Sequence, residues 1–331
     1  MSDKTSIEWT EATWNPVTGC SKVSAGCKHC YAERDWARLS ANPATRYHGR
    51  AFTDVQCHGD VLEMPLRWKR PRRIFVNSMS DLFHESVPDI FIADVFGIMA
   101  ATPQHTYQVL TKRPERARWL LGKQGILNFA TAVAECAAMY SDVDIEWPLS
   151  NVWLGVSVED QATADERIPI LLDTPAWIRW VSAEPLLAPV DMRGYLDGSV
   201  IGADISRPNV DWLVVGGESG PKARPMHPGW PRSLRDQCAA ADVPMLFKQW
   251  GEWVPRSSCY HTFEDGTSCA DRDPESKLWP VIKLTETGLN GRDIENCDGG
   301  DDAYMQRVGK KSAGRLLDGK MHDDYPAEVP F

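Results

Sequence analysis

Residues 152–184 read VWLGVSVEDQATADERIPILLDTPAWIRWVSAE, and this stretch decides the fold class. Its two ends, Val152–Val158 and Trp177–Ser182, are short apolar runs rich in β-branched and aromatic residues, without strict alternation. Such runs suit strands covered on both faces of a parallel sheet. Between them, Ala164, Ile168, Leu171 and Leu172 recur at helical spacing, which predicts a helix over Ala162–Leu172. Strand, helix and strand in this order join parallel neighbours.

The same pattern extends outward in both directions. Further strands are predicted at Arg73–Met79, Thr106–Thr111, Trp212–Gly216 and Pro244–Gln249, with a short extended piece at Trp14–Thr18. Helices are predicted at Tyr31–Ala41, Asp89–Ala101, Pro114–Leu121, Leu127–Tyr140 and Pro231–Ala241. About seven strands alternating with helices give an α/β fold, a partial or complete β/α barrel. An open doubly wound sheet is the competitor, although no GxGxxG or GxxxxGK[ST] follows any strand. Residues 1–252 are expected to form the barrel. Residues 253–303, rich in Asp, Glu, Gly and Ser, are expected to be a loop-rich acidic insertion or lid, and 304–331 a basic helix stopped by Gly319 and a tail.

Composition narrows the setting. The 331 residues hold no run of about 18 apolar residues, so no membrane span is expected. No basic segment followed by an apolar one opens the sequence, and a cytoplasmic location is expected. In that reducing compartment the nine cysteines read as ligands or buried thiols rather than disulfides. The net charge of −10 disfavours non-specific binding to long duplex DNA, which depends on neutralising phosphates.

Each predicted strand ends in a polar group: Asn77-Ser78-Met79-Ser80-Asp81, Thr111-Lys112-Arg113, Ser157-Val158-Glu159-Asp160, Ser182-Ala183-Glu184, Gly216-Gly217-Glu218-Ser219 and Lys248-Gln249-Trp250. In a β/α barrel the carboxyl ends of the strands line the active site. Capping and turn roles account for the small polar residues singly. They account poorly for Lys112, Glu184, Glu218 and Lys248, since a charge at the end of a buried strand needs a partner.

The sharpest signal is Cys20-Ser-Lys-Val-Ser-Ala-Gly-Cys27-Lys-His-Cys30, with spacing C-x6-C-x2-C. Thiolates suit zinc or iron–sulfur clusters. A structural zinc ion needs a fourth ligand, for which Cys57, His48 and His58 are available in the sequence. Three cysteines without an obvious fourth suit a four-iron cluster with one open iron.

Three cysteines on the loop after the first strand, followed by a β/α pattern, resemble the radical S-adenosylmethionine enzymes. More narrowly, the chain resembles the phage-associated three-Cys-motif proteins of uncharacterised function. The residues that carry this likeness are Trp14–Cys20, Gly26–Ala32, Asn77–Phe83, Leu110–Pro114, Ser182–Leu187, Gly216–Gly220, Lys248–Gly251 and Gly309–Gly319. Two departures from the commoner radical-enzyme pattern stand out: a first cysteine gap three residues longer, and His29 where an aromatic residue usually packs near the adenine. The resemblance implies that Cys20, Cys27 and Cys30 hold a [4Fe–4S] cluster whose fourth iron binds S-adenosylmethionine. Cleavage of that cofactor would give a 5′-deoxyadenosyl radical for hydrogen abstraction. His29, Asn77, Ser78, Ser80, Asp81, Glu184, Gly216 and Gly217 are then the cofactor-binding candidates, and Lys112, Glu218 and Lys248 the catalytic ones. An electron donor, and a partner protein encoded nearby, belong to the same expectation.

The substrate is less legible. Arg67-Trp68-Lys69-Arg70-Pro71-Arg72-Arg73, with Lys112, Arg113, Arg116 and Arg118, reads as a groove for single-stranded or flipped nucleic acid, or as a solvated helix end. A nucleic-acid or nucleotide substrate in a phage setting is the expectation. The alternative is a non-catalytic zinc or iron–sulfur module that assists a nucleic-acid-processing partner. Cys259, Cys269 and Cys297 are too widely spaced to name a second metal site. Lys310, Lys311 and Arg315 of the tail are candidates for contact with an anionic ligand.

Overall fold

The computed structural model describes residues 5, 7–122, 129–142, 144–199, 209–255, 281–284 and 303–327. In chain order the first strands are β1 (Ala12–Trp14), β2 (Val17–Thr18), β3 (Gln56–Cys57), β4 (Arg73–Val76) and β5 (Thr106–Thr111). They are followed by β6 (Val152–Ser157), β7 (Ile178–Ala183), β8 (Trp212–Gly216) and β9 (Met245–Gln249). Three short strands, β10 (Trp253–Pro255), β11 (Val281–Leu284) and β12 (Ala303–Arg307), come last. The helices are α1 (Tyr31–Ser40), α2 (Asp89–Ala100), α3 (Pro114–Leu121), α4 (Phe129–Ala138), α5 (Gln161–Leu172), α6 (Arg193–Leu196), α7 (Gly229–Ala240) and α8 (Lys310–Ala313).

Seven strands form one sheet in the order β1-β4-β5-β6-β7-β8-β9, and every pairing in it is parallel. The order never reverses, so the doubly wound competitor fails. A doubly wound sheet needs a switch point at which the helices change face. Here the sheet curls into a half-barrel.

Each strand shows one side to the helices and the other to the concave interior. Ile74, Val76, Tyr107, Val109, Leu154, Val156, Val181, Leu213 and Val215 belong to the main core, together with Ile92, Phe96, Ile168 and Leu171 of the helices. Phe75, Trp153, Trp180, Trp212, Val214 and Leu246 belong to a second cluster, inside the curl, with Trp9. All of β6 and β8 is buried. That explains why these runs lack alternation in the sequence.

The interior cluster plugs the amino-terminal half of the concavity. Trp9 meets Trp180 with ring centroids 5.2 Å apart, and Trp180 meets Trp212 at 5.3 Å. Gly155 makes this possible, because a Cβ there would run into the indole of Trp180. Toward the carboxyl ends the interior-facing residues shrink to Gly155, Ser157, Ser182 and Gly216, by the strand alternation. The open part of the half-barrel is therefore at the end where the polar groups lie.

The tail folds back onto β9. Asp323 bridges to Leu246 and the amide of Phe247 donates to His322 O at 2.9 Å. Tyr325 stacks on Trp212 at 5.3 Å, and the Arg73 guanidinium lies over the Tyr325 ring at 4.2 Å. The otherwise free β9 edge is covered in this way.

Several boundaries differ from the sequence reading. The strand at Arg73 stops at Val76, because Asn77 adopts φ 61° and turns the chain out of the sheet. The extended piece Trp14–Thr18 is two strands, β1 in the main sheet and β2 paired antiparallel with β3. The tail helix is one turn ended by Gly314 at φ 68°, five residues before Gly319. Strands β10, β12 and β11 form an antiparallel sheet, while the greater part of 253–303 lies outside the described residues. No helix among the described residues is long and apolar enough to cross a membrane.

Candidate functional site

The cysteine loop, Gly19 to Cys30, lies across the carboxyl ends of the sheet and is tied to strand after strand. Gly19 opens it at φ 93°, packed so closely on the Asp54 backbone that no side chain fits. It bridges to Ser80 just beyond β4, whose Oγ donates to Val17 O at 2.8 Å. From the end of β5, the Arg113 guanidinium donates to Ser21 Oγ at 2.8 Å and Ser21 O at 3.2 Å, and lies 3.7 Å from Cys20 Sγ. From the end of β6, Glu159 accepts from Ser24 Oγ at 3.1 Å. From beyond β8, Glu218 contacts His29 Nδ1 at 3.1 Å, and Arg224 donates to Ala25 O at 3.0 Å. Cys30 then caps α1.

The predicted polar strand ends thus converge, and the structure gives each a partner. Lys112 Nζ meets Glu159 Oε1 at 2.9 Å, and Lys248 Nζ meets Glu184 Oε2 at 2.9 Å. Gln249 Nε2 reaches the other Glu184 oxygen at 3.2 Å. Glu218 takes the Arg224 guanidinium at 2.6 Å and its backbone amide at 2.8 Å. Burial opposes ionisation of Glu218, but the hydrogen bonds from Arg224 and His29 outweigh it and hold the carboxyl below its ordinary range.

Asp81 is consumed by the fold. It accepts from Phe83 N, Thr111 Oγ1, Lys112 N and Arg113 Nη1 at 2.8–3.3 Å. Ser78 Oγ donates to Asn15 Oδ1 at 3.1 Å, and Asn77 Oδ1 accepts from Val17 N at 3.1 Å. Gly216 lies against the Glu184 carboxylate, where a Cβ would come within 3.1 Å, and Gly217 packs on the Trp250 carbonyl. Asn77 Nδ2 and Gln249 Oε1 are buried and have no partner among the described residues, donor and acceptor capacity that a bound molecule would satisfy.

Three participants are not singled out by the sequence reading: Arg167, Arg224 and Ser24. Glu159 was visible as a strand-end acid but given no role. Arg167 is buried and reaches Glu159 Oε2 at 3.2 Å, eight residues along the chain. A basic residue on the buried face of a predicted helix was the available signal.

On balance the protein setting keeps the Cys20 and Cys30 thiols protonated, although cations lie beside them. Burial pushes the Cys20 thiol up to about 11, with Asp81 adding to the rise and Arg113 opposing it. Burial also raises Cys30, against the first-turn amides of Glu33 and Ala32 and the charge of Lys112. Cations and a helix start beside partly buried thiols suit sulfurs that lose their protons to a metal. Among the described residues, no group of three or more His, Cys, Asp or Glu side chains is disposed to hold a metal ion. A single zinc gathers its ligands on one ion, whereas a [4Fe–4S] cluster takes one thiolate per iron. Cys20, Cys27 and Cys30 are free thiols on one loop, donors of the type that either group takes. The candidate fourth zinc ligands are engaged elsewhere: His58 Nε2 with Thr18 Oγ1 at 2.7 Å, His48 Nδ1 with Ser40 O at 3.1 Å, and Cys57 in β3 beside the core.

The basic groove is not assembled. Arg67–Arg73 leads into the amino-terminal end of β4, opposite the end that carries Lys112 and Arg113. Arg116 pairs with Asp89 and Arg118 with Asp173. In the tail, Arg315 donates to Lys248 O at 3.0 Å and pairs with Asp323, while Lys310 lies 3.7 Å from Glu8. Cys259, Cys269 and Cys297 lie outside the described residues.

No curated protein and no solved structure matches the chain. Residues 4–326 match the family described as "Protein of unknown function (DUF5131)", and the chain belongs to that family.

Proposed function

We propose that the chain is an iron–sulfur enzyme of the radical S-adenosylmethionine type. The observation that carries this is the placement of the Cys20–Cys30 loop across the open end of a parallel half-barrel, tied to Glu159 and Glu218. In this reading Cys20, Cys27 and Cys30 hold a [4Fe–4S] cluster. When bound, the cluster supplies the electron that cleaves S-adenosylmethionine to a 5′-deoxyadenosyl radical.

The chain's own residues bind and shield. Glu184, fixed by Lys248 and Gln249 and facing the space that Gly216 leaves open, offers a carboxylate to an ammonium or a ribose hydroxyl. Asn77 Nδ2 and Gln249 Oε1 offer one donor and one acceptor. His29 is oriented through Nδ1 by Glu218. The interior tryptophans close the amino-terminal end to water, which protects reactive chemistry at the open end. Lys112 and Lys248, each held by a single glutamate oxygen, are the mouth cations that a nucleotide phosphate would compete for. A nucleotide or nucleic-acid substrate, an electron donor and a partner protein in a phage setting complete the proposal.

The test is product analysis under anaerobic conditions with S-adenosylmethionine and dithionite. 5′-Deoxyadenosine is expected from the wild type and is expected to vanish in Cys20→Ala, Cys27→Ala and Cys30→Ala. Cleavage that persists in all three variants, or is absent from an iron-loaded wild type, overturns the proposal.

A further inference from the structure

Glu159 stands beyond β6 with no exposed surface. From the sheet side it receives Lys112 Nζ at 2.9 Å and Arg167 Nη1 at 3.2 Å. From the loop side it receives Ser24 Oγ at 3.1 Å. Gly26 lies directly against it, and a Cβ at that position would overlap the carboxylate and Cγ of Glu159. Ser24 Oγ is in turn 3.9 Å from Cys27 Sγ. Two cations against one carboxylate leave an excess positive charge beneath the loop. Arg167 Nε, also buried, has no partner among the described residues. A buried excess charge is costly unless an anion lies close.

We infer that Glu159, clamped by Lys112 and Arg167, is the positioning residue on which the cysteine loop is seated. Ser24 and Gly26, three and one residues before Cys27, are its two contact points on the loop, and the cation excess matches the negative charge that the thiolates carry on ligation. The inference deepens the proposed function and rests on it for what the thiolates hold.

Three variants test the seat. Ser24→Ala deletes the hydrogen bond to Glu159 together with the contact to Cys27 Sγ and leaves every buried charge paired. Gly26→Ala pushes the loop off the carboxylate, and Glu159→Gln removes the charge. The first readout is alkylation of the metal-free chain, with Cys27 measured against Cys57 in β3 as an internal reference. Losing a hydrogen bond to a charged group is expected to speed Cys27 alkylation about tenfold in Ser24→Ala. Gly26→Ala should do at least as much, and Cys57 should keep its rate. A residue with a merely structural role would move both cysteines together or neither. The second readout is iron retained per chain after anaerobic reconstitution, expected to fall in all three variants. An unchanged Cys27 rate in folded Ser24→Ala and Gly26→Ala overturns the seat, whatever the iron content. A wild type that takes up no iron, with Cys27 still exposed in the variants, overturns the iron–sulfur reading and leaves the seat standing.

Discussion

At the scale of single residues, the site is a set of buried and half-buried carboxylates, each held by at least one cation. Glu218 shows the consequence for pH. Its folded carboxyl is held below the ordinary range, so the stability it contributes is fully present above the unfolded value of about 4.3 and is lost as pH falls through the lower folded value. Glu218→Gln is expected to cost about 2 kcal/mol at neutral pH and to show a shallower acid limb, read by urea unfolding across pH. An acid limb as steep as in the wild type would show that Glu218 is not the group titrating. Arg167→Met is more severe, because it leaves a fully buried carboxylate with Lys112 as its only cation. A loss of about 3–5 kcal/mol is expected in the same assay.

At the scale of elements, the two-faced burial of the strands explains both what was legible and what was not. The apolar runs at Val152, Trp177, Trp212 and Met245 gave strands to within a residue or two, because a strand covered on both sides must be apolar throughout. Asn77 and Gly314 end their elements early through positive φ, a conformation that Asn and Gly adopt more readily than other residues, so the signal was present but not specific to those positions. Gly155 belongs to the interior packing. Gly155→Ala drives a methyl into Trp180 and is expected to cost about 1–3 kcal/mol, visible as a lower unfolding midpoint in denaturant. Tyr325→Ala removes the stack on Trp212 and the seat of Arg73, and a loss of about 2 kcal/mol is expected. An unchanged midpoint for Tyr325→Ala would mean that the tail does not hold the open edge.

At the scale of the whole molecule, the half-barrel brings distant residues to one end. The polar strand ends were readable because a parallel barrel gathers them by rule. Their pairings were not, since Ser24 and Glu159 are 135 residues apart and His29 and Glu218 are 189 apart. The same geometry separated groups that composition had joined, placing Arg67–Arg73 at the opposite end of β4 from Lys112. What makes this architecture a site, on the present account, is three thiols on the loop that spans its open end. Anaerobic purification followed by iron, sulfide and zinc analysis tests that most directly. About four irons and four sulfides per chain are expected, lost when Cys20, Cys27 and Cys30 are replaced. One tightly held zinc per chain, with no iron or sulfide, would contradict it.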